Sequence, residues 1–302
     1  MSFFYYMYDL YFESFIRLYD SDALLCHTNN TDPDVIILES NHFLPETSKV
    51  GDYNTFYSTT RTWFKTEIGS FLVENGNRIY VAPAKSATTN DISSYIIGCC
   101  TSLIFLQREI CSIHGSALSF NNGCVIISGS SGSGKSTTAL SLVKQGFRYL
   151  SDDIVILSSD SDFTVRPGLP LQKFCRNIAE SFEDKNALIH INEERDKYVF
   201  IDKKSFDPLP KKVFLLIILE PGESSDLECE EIYGFSKVEY LLNSIFLNPI
   251  FQSIPYPLKI KQECLKLAGN IRIIRIKRPL GSNTVDRICG LVKEYMEEIC
   301  PQ

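Results

Sequence analysis

Thirteen residues near the middle of the chain, Cys124 to Ser136 (CVIISGSSGSGKS), leave fewer choices of fold than any other stretch. The β-branched run Val125, Ile126, Ile127 leads into Gly129, Ser130, Ser131, Gly132, Ser133, Gly134, Lys135 and Ser136, a full match to the phosphate-loop pattern G-x-x-x-x-G-K-[ST]. Glycines at 129, 132 and 134 permit backbone conformations in which successive N–H groups turn inward, and the helix that follows adds the partial positive charge of its N-terminus. Flexible linkers use the same Gly/Ser composition. The context separates the two, because a strand precedes the loop and a short helix from Ser136 to Gln145, stopped by Gly146, follows it. This predicts a nucleotide site in which Gly129, Ser130, Ser131, Gly132, Ser133, Gly134, Lys135, Ser136 and Thr137 cradle phosphates. Lys135 reaches the terminal ones and the Ser136 hydroxyl sits on a magnesium ion.

The chain has 302 residues, room for two domains, and 44% hydrophobic residues supply real cores. A formal charge of −7 argues against a general nucleic-acid binder, which carries a basic stripe. Ten cysteines form no C-x-x-C pair and lie mostly in apolar runs, and with four histidines in no cluster a zinc site is not expected. The N-terminus lacks the basic region and cleavage site of a signal peptide, and the apolar run Tyr95 to Leu106 is too short to span a bilayer. The expectation is a soluble, cytoplasmic protein with no nucleic-acid or membrane partner. In that compartment the sequon Asn29-Asn30-Thr31 carries no weight.

Residues 1–90 read as a small β-rich domain with Trp63 in its core. Its clearest element is a hairpin from Gly69 to Ala82 turning at Asn75-Gly76-Asn77. Asp91 reads as the N-cap of a helix running to about Gln107 and bridging the halves. Residues 91–302 then read as an α/β domain with a mixed sheet. Ile113–Phe120 and Cys124–Ser128 form a hairpin into the loop, and Phe147–Leu157 is a strand interrupted by two aspartates. Phe163–Arg166 pairs back after a turn, and Val213–Glu220 is a buried strand. Ser236–Leu247, Pro257–Leu267 and Thr284–Ile299 read as helices, with a strand at Ile271–Ile276; the polar stretch Glu180 to Asp196 has no assignment.

Asp152 and Asp153, seventeen and eighteen residues past Lys135, are the second chemical signal. Paired carboxylates in an apolar strand need a partner to offset desolvation and mutual repulsion, and magnesium is the obvious one. A strand-borne aspartate holds the metal opposite the loop serine, and a second one could accept the proton of an attacking hydroxyl. Strand neighbours point to opposite faces, so only one of the two should face the nucleotide unless the strand ends there. The alternative is a polar turn at a strand end. His114 stands on the strand paired to the one feeding the loop, where it is either a structural residue or close to the phosphates. Glu220 reads as the polar end of its strand. Arg166, Arg195, Lys197 and Arg278 are unranked candidates for stabilising phosphoryl charge.

The segment IHGSALSFNNGCVIISGSSGSGKSTTALSLVKQGFRYLSDDIVIL resembles the catalytic domain of the HPr kinase/phosphorylase family, whose fold is a phosphate-loop, PEP-carboxykinase-like α/β domain. A His-Gly strand, the loop, an Asp-Asp element and a strand ending in Leu-Glu occur in the same order, with His114 twenty-one residues before Lys135. The resemblance implies Asp152 as the catalytic carboxylate, with Lys135 and His114 in the active site. It also implies Asp153 and Ser136 on the metal side, ATP and Mg2+ as cofactors, and a homo-oligomeric assembly. The family's E-I-R-G-x-G stretch has no counterpart, the region reading RPGLPLQKFC instead. The chain is more similar to HPr-kinase-like proteins of peptide-modifying gene sets, such as lasso-peptide tail kinases, through Gln107-Arg108 to His114 and Pro167 to Pro170. The implied activity is phosphorylation of a serine on a peptide or protein. A small-molecule kinase acting on free serine and a nucleotide-binding regulatory module remain as alternatives.

Overall fold

The structure, a computed structural model, describes residues 2–26, 32–40, 55–158, 162–182, 184–191, 196–246, 257–279 and 283–300. The sequon at Asn29 and the candidate Arg195 lie outside the described residues. The chain divides into two compact units. One comprises Met1–Ile110, Phe174–Ile201 and Leu247–Pro257; the other comprises Cys111–Lys173, Asp202–Phe246 and Leu258–Gln302.

The first unit is built on seven strands: β1 (Phe3–Met7), β2 (Leu10–Ser14), β3 (Val35–Glu39), β4 (Thr55–Tyr57), β5 (Arg61–Lys65), β6 (Gly69–Glu74) and β7 (Arg78–Pro83). They form a mixed sheet in the order β1-β2-β3-β7-β6-β5-β4, parallel at β2/β3 and β3/β7. The β6/β7 hairpin turns where expected, with Asn75 and Gly76 both at positive φ, the signature of the mirror-image turn that suits strand twist. Phe64 and Phe71, directly opposite across β5/β6, stack at 5.0 Å, and Trp63 is buried as expected.

The following helix differs from its expected form. It runs as α1 (Thr89–Tyr95), a π-helical turn (Ile96–Cys100) and α2 (Thr101–Gln107). Its N-cap is Thr88, not Asp91. Asp91 takes the third helical position, where its carboxylate accepts from Thr88 N–H while Thr88 Oγ1 accepts from Asp91 N–H, a reciprocal capping box. Within the widened turn Thr101 Oγ1 bonds back to Ile96 O at 2.7 Å.

The chain continues through β8 (Ser112–Phe120), β9 (Gly123–Gly129), α3 (Lys135–Lys144), β10 (Arg148–Ser151), β11 (Ile154–Leu157), β12 (Thr164–Arg166) and β13 (Leu171–Cys175). The short α4 (Arg176–Ala179) and the antiparallel hairpin β14 (Leu188–Ile191)/β15 (Lys197–Ile201) belong to the first unit. This hairpin fills the stretch that sequence left unassigned. The second unit resumes with β16 (Lys211–Gly222), β17 (Glu228–Glu231), α5 (Ser236–Asn243), α6 (Leu258–Ala268), β18 (Arg272–Pro279) and α7 (Val285–Ile299).

In that unit β9, β16 and β18 lie parallel while β8 runs antiparallel to β9, giving the expected mixed α/β sheet. Pairing then passes from β8 to β11, from β11 to β12 and from β12 back to the start of β16, so five strands close on themselves. The parallel strands are apolar on both faces, which is why VFLLIIL reads as an unbroken run. Leu118, Val125, Ile127, Leu215, Ile217, Leu219 and Ile274 pack against Ala139 and Leu142 of α3 and Ile288, Val292 and Met296 of α7. This buried layer fixes the carboxyl ends of β9, β16 and β18 together, the end of a parallel sheet where ligands bind.

Candidate active site

Gly129 ends β9 opposite Leu219 of β16, and an added Cβ there would stand 2.1 Å from the Leu219 carbonyl oxygen. With φ of 137° at Gly129, 80° at Gly132 and 101° at Gly134, the loop turns through conformations that only glycine adopts cheaply. Gly134 caps α3, and Lys135 and Ser136 occupy its first turn. Ser130, Ser131 and Gly132 are exposed at the loop tip, whereas Ser136 and Thr137 are half-buried. Ser133 is buried, and its Oγ has no hydrogen-bond partner among the described residues. Lys135 Nζ donates to the Gly129 and Ser130 carbonyls at 2.8 and 2.9 Å, folding over the loop it belongs to.

Arg278, at the end of β18, donates from Nε to Ser133 O at 2.6 Å and from Nη2 to Gly132 O at 3.0 Å. Of the three basic candidates among the described residues, Arg278 hydrogen-bonds the loop. Lys197 lies in β15 of the other unit, and Arg166 lies in β12.

Strand register assembles the rest. Gly115 pairs with Ser128, and His114 pairs with Ile154, so the loop entrance and the His-Gly element stand on adjacent strands and the aspartates lie directly before the third, β11. The glycine is required because a Cβ at 115 would stand 2.4 Å from Ile127 O. Ser128 Oγ–H donates to His114 O at 2.7 Å, tying the two strands beside the loop. His114 Nδ1 lies 3.1 Å from Asp153 O and 3.6 Å from Asp153 Oδ1, and its ring meets Phe246 edge-on.

The aspartates do not alternate as they would in a continuous strand. β10 ends at Ser151, β11 begins at Ile154, and Asp153 is left-handed with φ of 70°. Both carboxylates therefore reach one residue, Lys173. Its N–H donates to Asp152 Oδ2 at 2.8 Å and its ammonium stands 3.3 Å from Asp153 Oδ2. Ser116 Oγ–H donates to Asp152 Oδ1 at 2.6 Å. Burial pushes the Asp152 carboxyl above the usual range, although the hydrogen bonds from Lys173 and Ser116 favour the charged form; the neighbouring Asp153 charge adds to the rise. A desolvated carboxylate held by two donors is a suitable proton acceptor.

Lys173 and Ser116 are the residues that sequence reasoning missed. Ser116 carries no local signal, whereas Lys173 offers one, a lysine in the short stretch LQKF that follows Pro167 to Pro170. Among the described residues no cluster of three or more His, Cys, Asp or Glu side chains forms a metal cage. Magnesium does not need one, since it accepts one or two carboxylates with phosphate oxygens and water. Ser136 and Asp153 supply hard oxygen donors of that kind, and the glycine cradle with its orphaned Ser133 hydroxyl fits a polyphosphate.

Comparison with known proteins meets the same residues. A family model described as the HPr serine kinase C-terminal domain matches residues 107–170. HPr kinase/phosphorylase proteins from two strains of Clostridium botulinum are each 37% identical over 89 residues, 30% of this chain. The chain spans 28% of the length of these curated relatives. The Hpr(Ser) kinase/phosphatase from Coxiella burnetii superimposes with a TM-score of 0.33 at 16% identity, covering 62% of this chain and 92% of that one. No helix among the described residues is long and apolar enough to cross a membrane. The family match contains His114, the whole loop and both aspartates, so residues 107–170 are similar to the HPr serine kinase C-terminal domain.

Proposed function

We propose that the chain is an ATP- and magnesium-dependent kinase that phosphorylates a serine hydroxyl on a peptide or protein. The observation that supports this reading is Asp152 itself, buried and accepting from Ser116 and Lys173 in the break between β10 and β11, two strands that pair with β8, the neighbour of the strand feeding the phosphate loop. ATP, held by Gly129 to Thr137, would supply the phosphoryl group and leave as ADP, and magnesium near Ser136 and Asp153 would neutralise phosphate charge. Asp152 orients the acceptor hydroxyl and takes its proton on a carboxylate oxygen. Lys135 and Arg278 hold the loop in the form that receives phosphates, and His114 fixes the Asp153 main chain. The HPr-kinase-like segment supports a protein acceptor, and the departure from E-I-R-G-x-G supports an acceptor other than HPr, such as a peptide made by a modification gene set.

The test is transfer from labelled ATP with magnesium to a panel of serine-ending peptides, serine-containing carrier proteins and free serine. Label should appear on a peptide or protein. Asp152→Asn should lower turnover by about 10²- to 10⁴-fold while leaving nucleotide binding intact. Normal turnover by that variant, or label recovered only as free phosphate, would refute the reading.

A further inference from the structure

We propose that Lys173 is the positioning residue of this site, its main chain fixing the proton acceptor Asp152 while its ammonium holds the charge of Asp153. The inference rests on the role given to Asp152 above. Lys173 lies in β13, twenty residues beyond Asp153, and its side chain is 7% exposed. Placing an ammonium there is costly unless it is paired, and lysine gives up much side-chain freedom to be held. The partner is Asp153 Oδ2 at 3.3 Å. His114 faces the other oxygen of the same carboxylate at 3.6 Å. The N–H of Lys173 reaches Asp152 Oδ2 at 2.8 Å, so the spacing of the two carboxylates is set by one residue with two arms.

The arrangement has an electrostatic purpose. Two carboxylates beside a polyphosphate repel it, and their combined charge would disfavour the complex that must react. The Lys173 ammonium, together with the magnesium ion that Asp153 would help hold, offsets the charge of Asp153, leaving Asp152 as the carboxylate that faces the acceptor. A side chain whose carboxylate is clamped also cannot swing toward the acceptor in place of Asp152. The substitution Lys173→Met removes the ammonium arm and leaves the N–H donor in place.

The experiment pairs kinetics with a double-mutant cycle on the full chain. With the acceptor found above, Lys173→Met should lower kcat about 10- to 10²-fold with the affinity for ATP, titrated separately, unchanged. Lys173→Arg, which keeps the charge, should recover most of that loss; a role in packing alone would not show this split or this rescue. In thermal melts Lys173→Met and Asp153→Asn should each lower Tm by about 5 °C, and the double variant should fall no further than the worse single one. Wild-type kcat in Lys173→Met, or losses in Tm that add, would overturn the proposal. If the wild-type chain phosphorylates nothing, the kinase reading fails, and the melting cycle alone decides whether Lys173 holds Asp153.

Discussion

Asp152 should cost the fold stability at neutral pH, and Asp152→Asn should therefore make the protein more stable as it removes activity. The substitution keeps shape and hydrogen bonding. The Asn carbonyl oxygen can accept from Lys173 N–H, now made by Asp152 Oδ2 at 2.8 Å. The Asn amide can face Ser116, whose hydroxyl turns from donor to acceptor across the present 2.6 Å contact. What disappears is a desolvated negative charge next to Asp153, and burial is the largest influence on the Asp152 carboxyl. Removing such a charge without opening a cavity falls among stabilising changes of about 0.5–2 kcal/mol, and at about 2–4 °C per kcal/mol the rise in Tm is about 1–8 °C. The sign follows from linkage. A carboxyl raised in the folded state contributes stability that is fully present below its unfolded value, about 3.9, and lost as pH rises through the folded value. The advantage of the variant should then be largest at pH 7–8 and vanish in acid, where both side chains are neutral. Thermal melts of both proteins across pH 4–8 measure this. A variant less stable than wild type at pH 7.5, or an advantage that does not shrink in acid, would show that the two hydrogen bonds outweigh the burial.

Two further outcomes test the loop and the first unit. Gly129→Ala combines a Cβ 2.1 Å from Leu219 O with φ of 137° and should cost about 3 kcal/mol or more in urea denaturation; Gly146→Ala, with φ of 98° but open space around it, should cost about 1 kcal/mol. Gln107→Leu should cost about 1–3 kcal/mol by the same assay, because Gln107 accepts from Gly76 N–H at 2.8 Å and donates to Val73 O at 3.0 Å, and the substitution removes both bonds.

Where local chemistry decides the structure, the sequence is readable. The run Val125–Ile127 before three glycines can hardly be anything but a strand entering a phosphate loop, and Asn75-Gly76 can adopt two successive left-handed residues that few other pairs tolerate. The aspartates show themselves by breaking an apolar strand. Lys173 is invisible by the same logic, since its meaning lies in partners twenty and twenty-one residues away that meet it through the left-handed turn at Asp153. β17 was hidden for another reason. Its sequence ECEE reads as solvated charge, yet at the sheet edge Glu228 and Glu230 stand opposite Lys277 and Arg275 and pair with them, so charge itself supplies the cross-strand contacts. Arg278 could be named but not ranked, because only the parallel register of β16 and β18 carries it to the loop.

The interleaving of the two units has a consequence for the order in which the protein can be made. After the first 110 residues have left the ribosome, the unit they belong to still lacks α4 and the β14/β15 hairpin, which follow only after the phosphate loop and both aspartates have been synthesised. The second unit likewise holds β8 to β12 long before β16 arrives to receive β9 along its length. Neither unit can finish during translation while the other has yet to begin. A deletion ending near residue 110 therefore does not release an intact second unit free of the first, since residues 174–201 would remain as a fragment of the missing one.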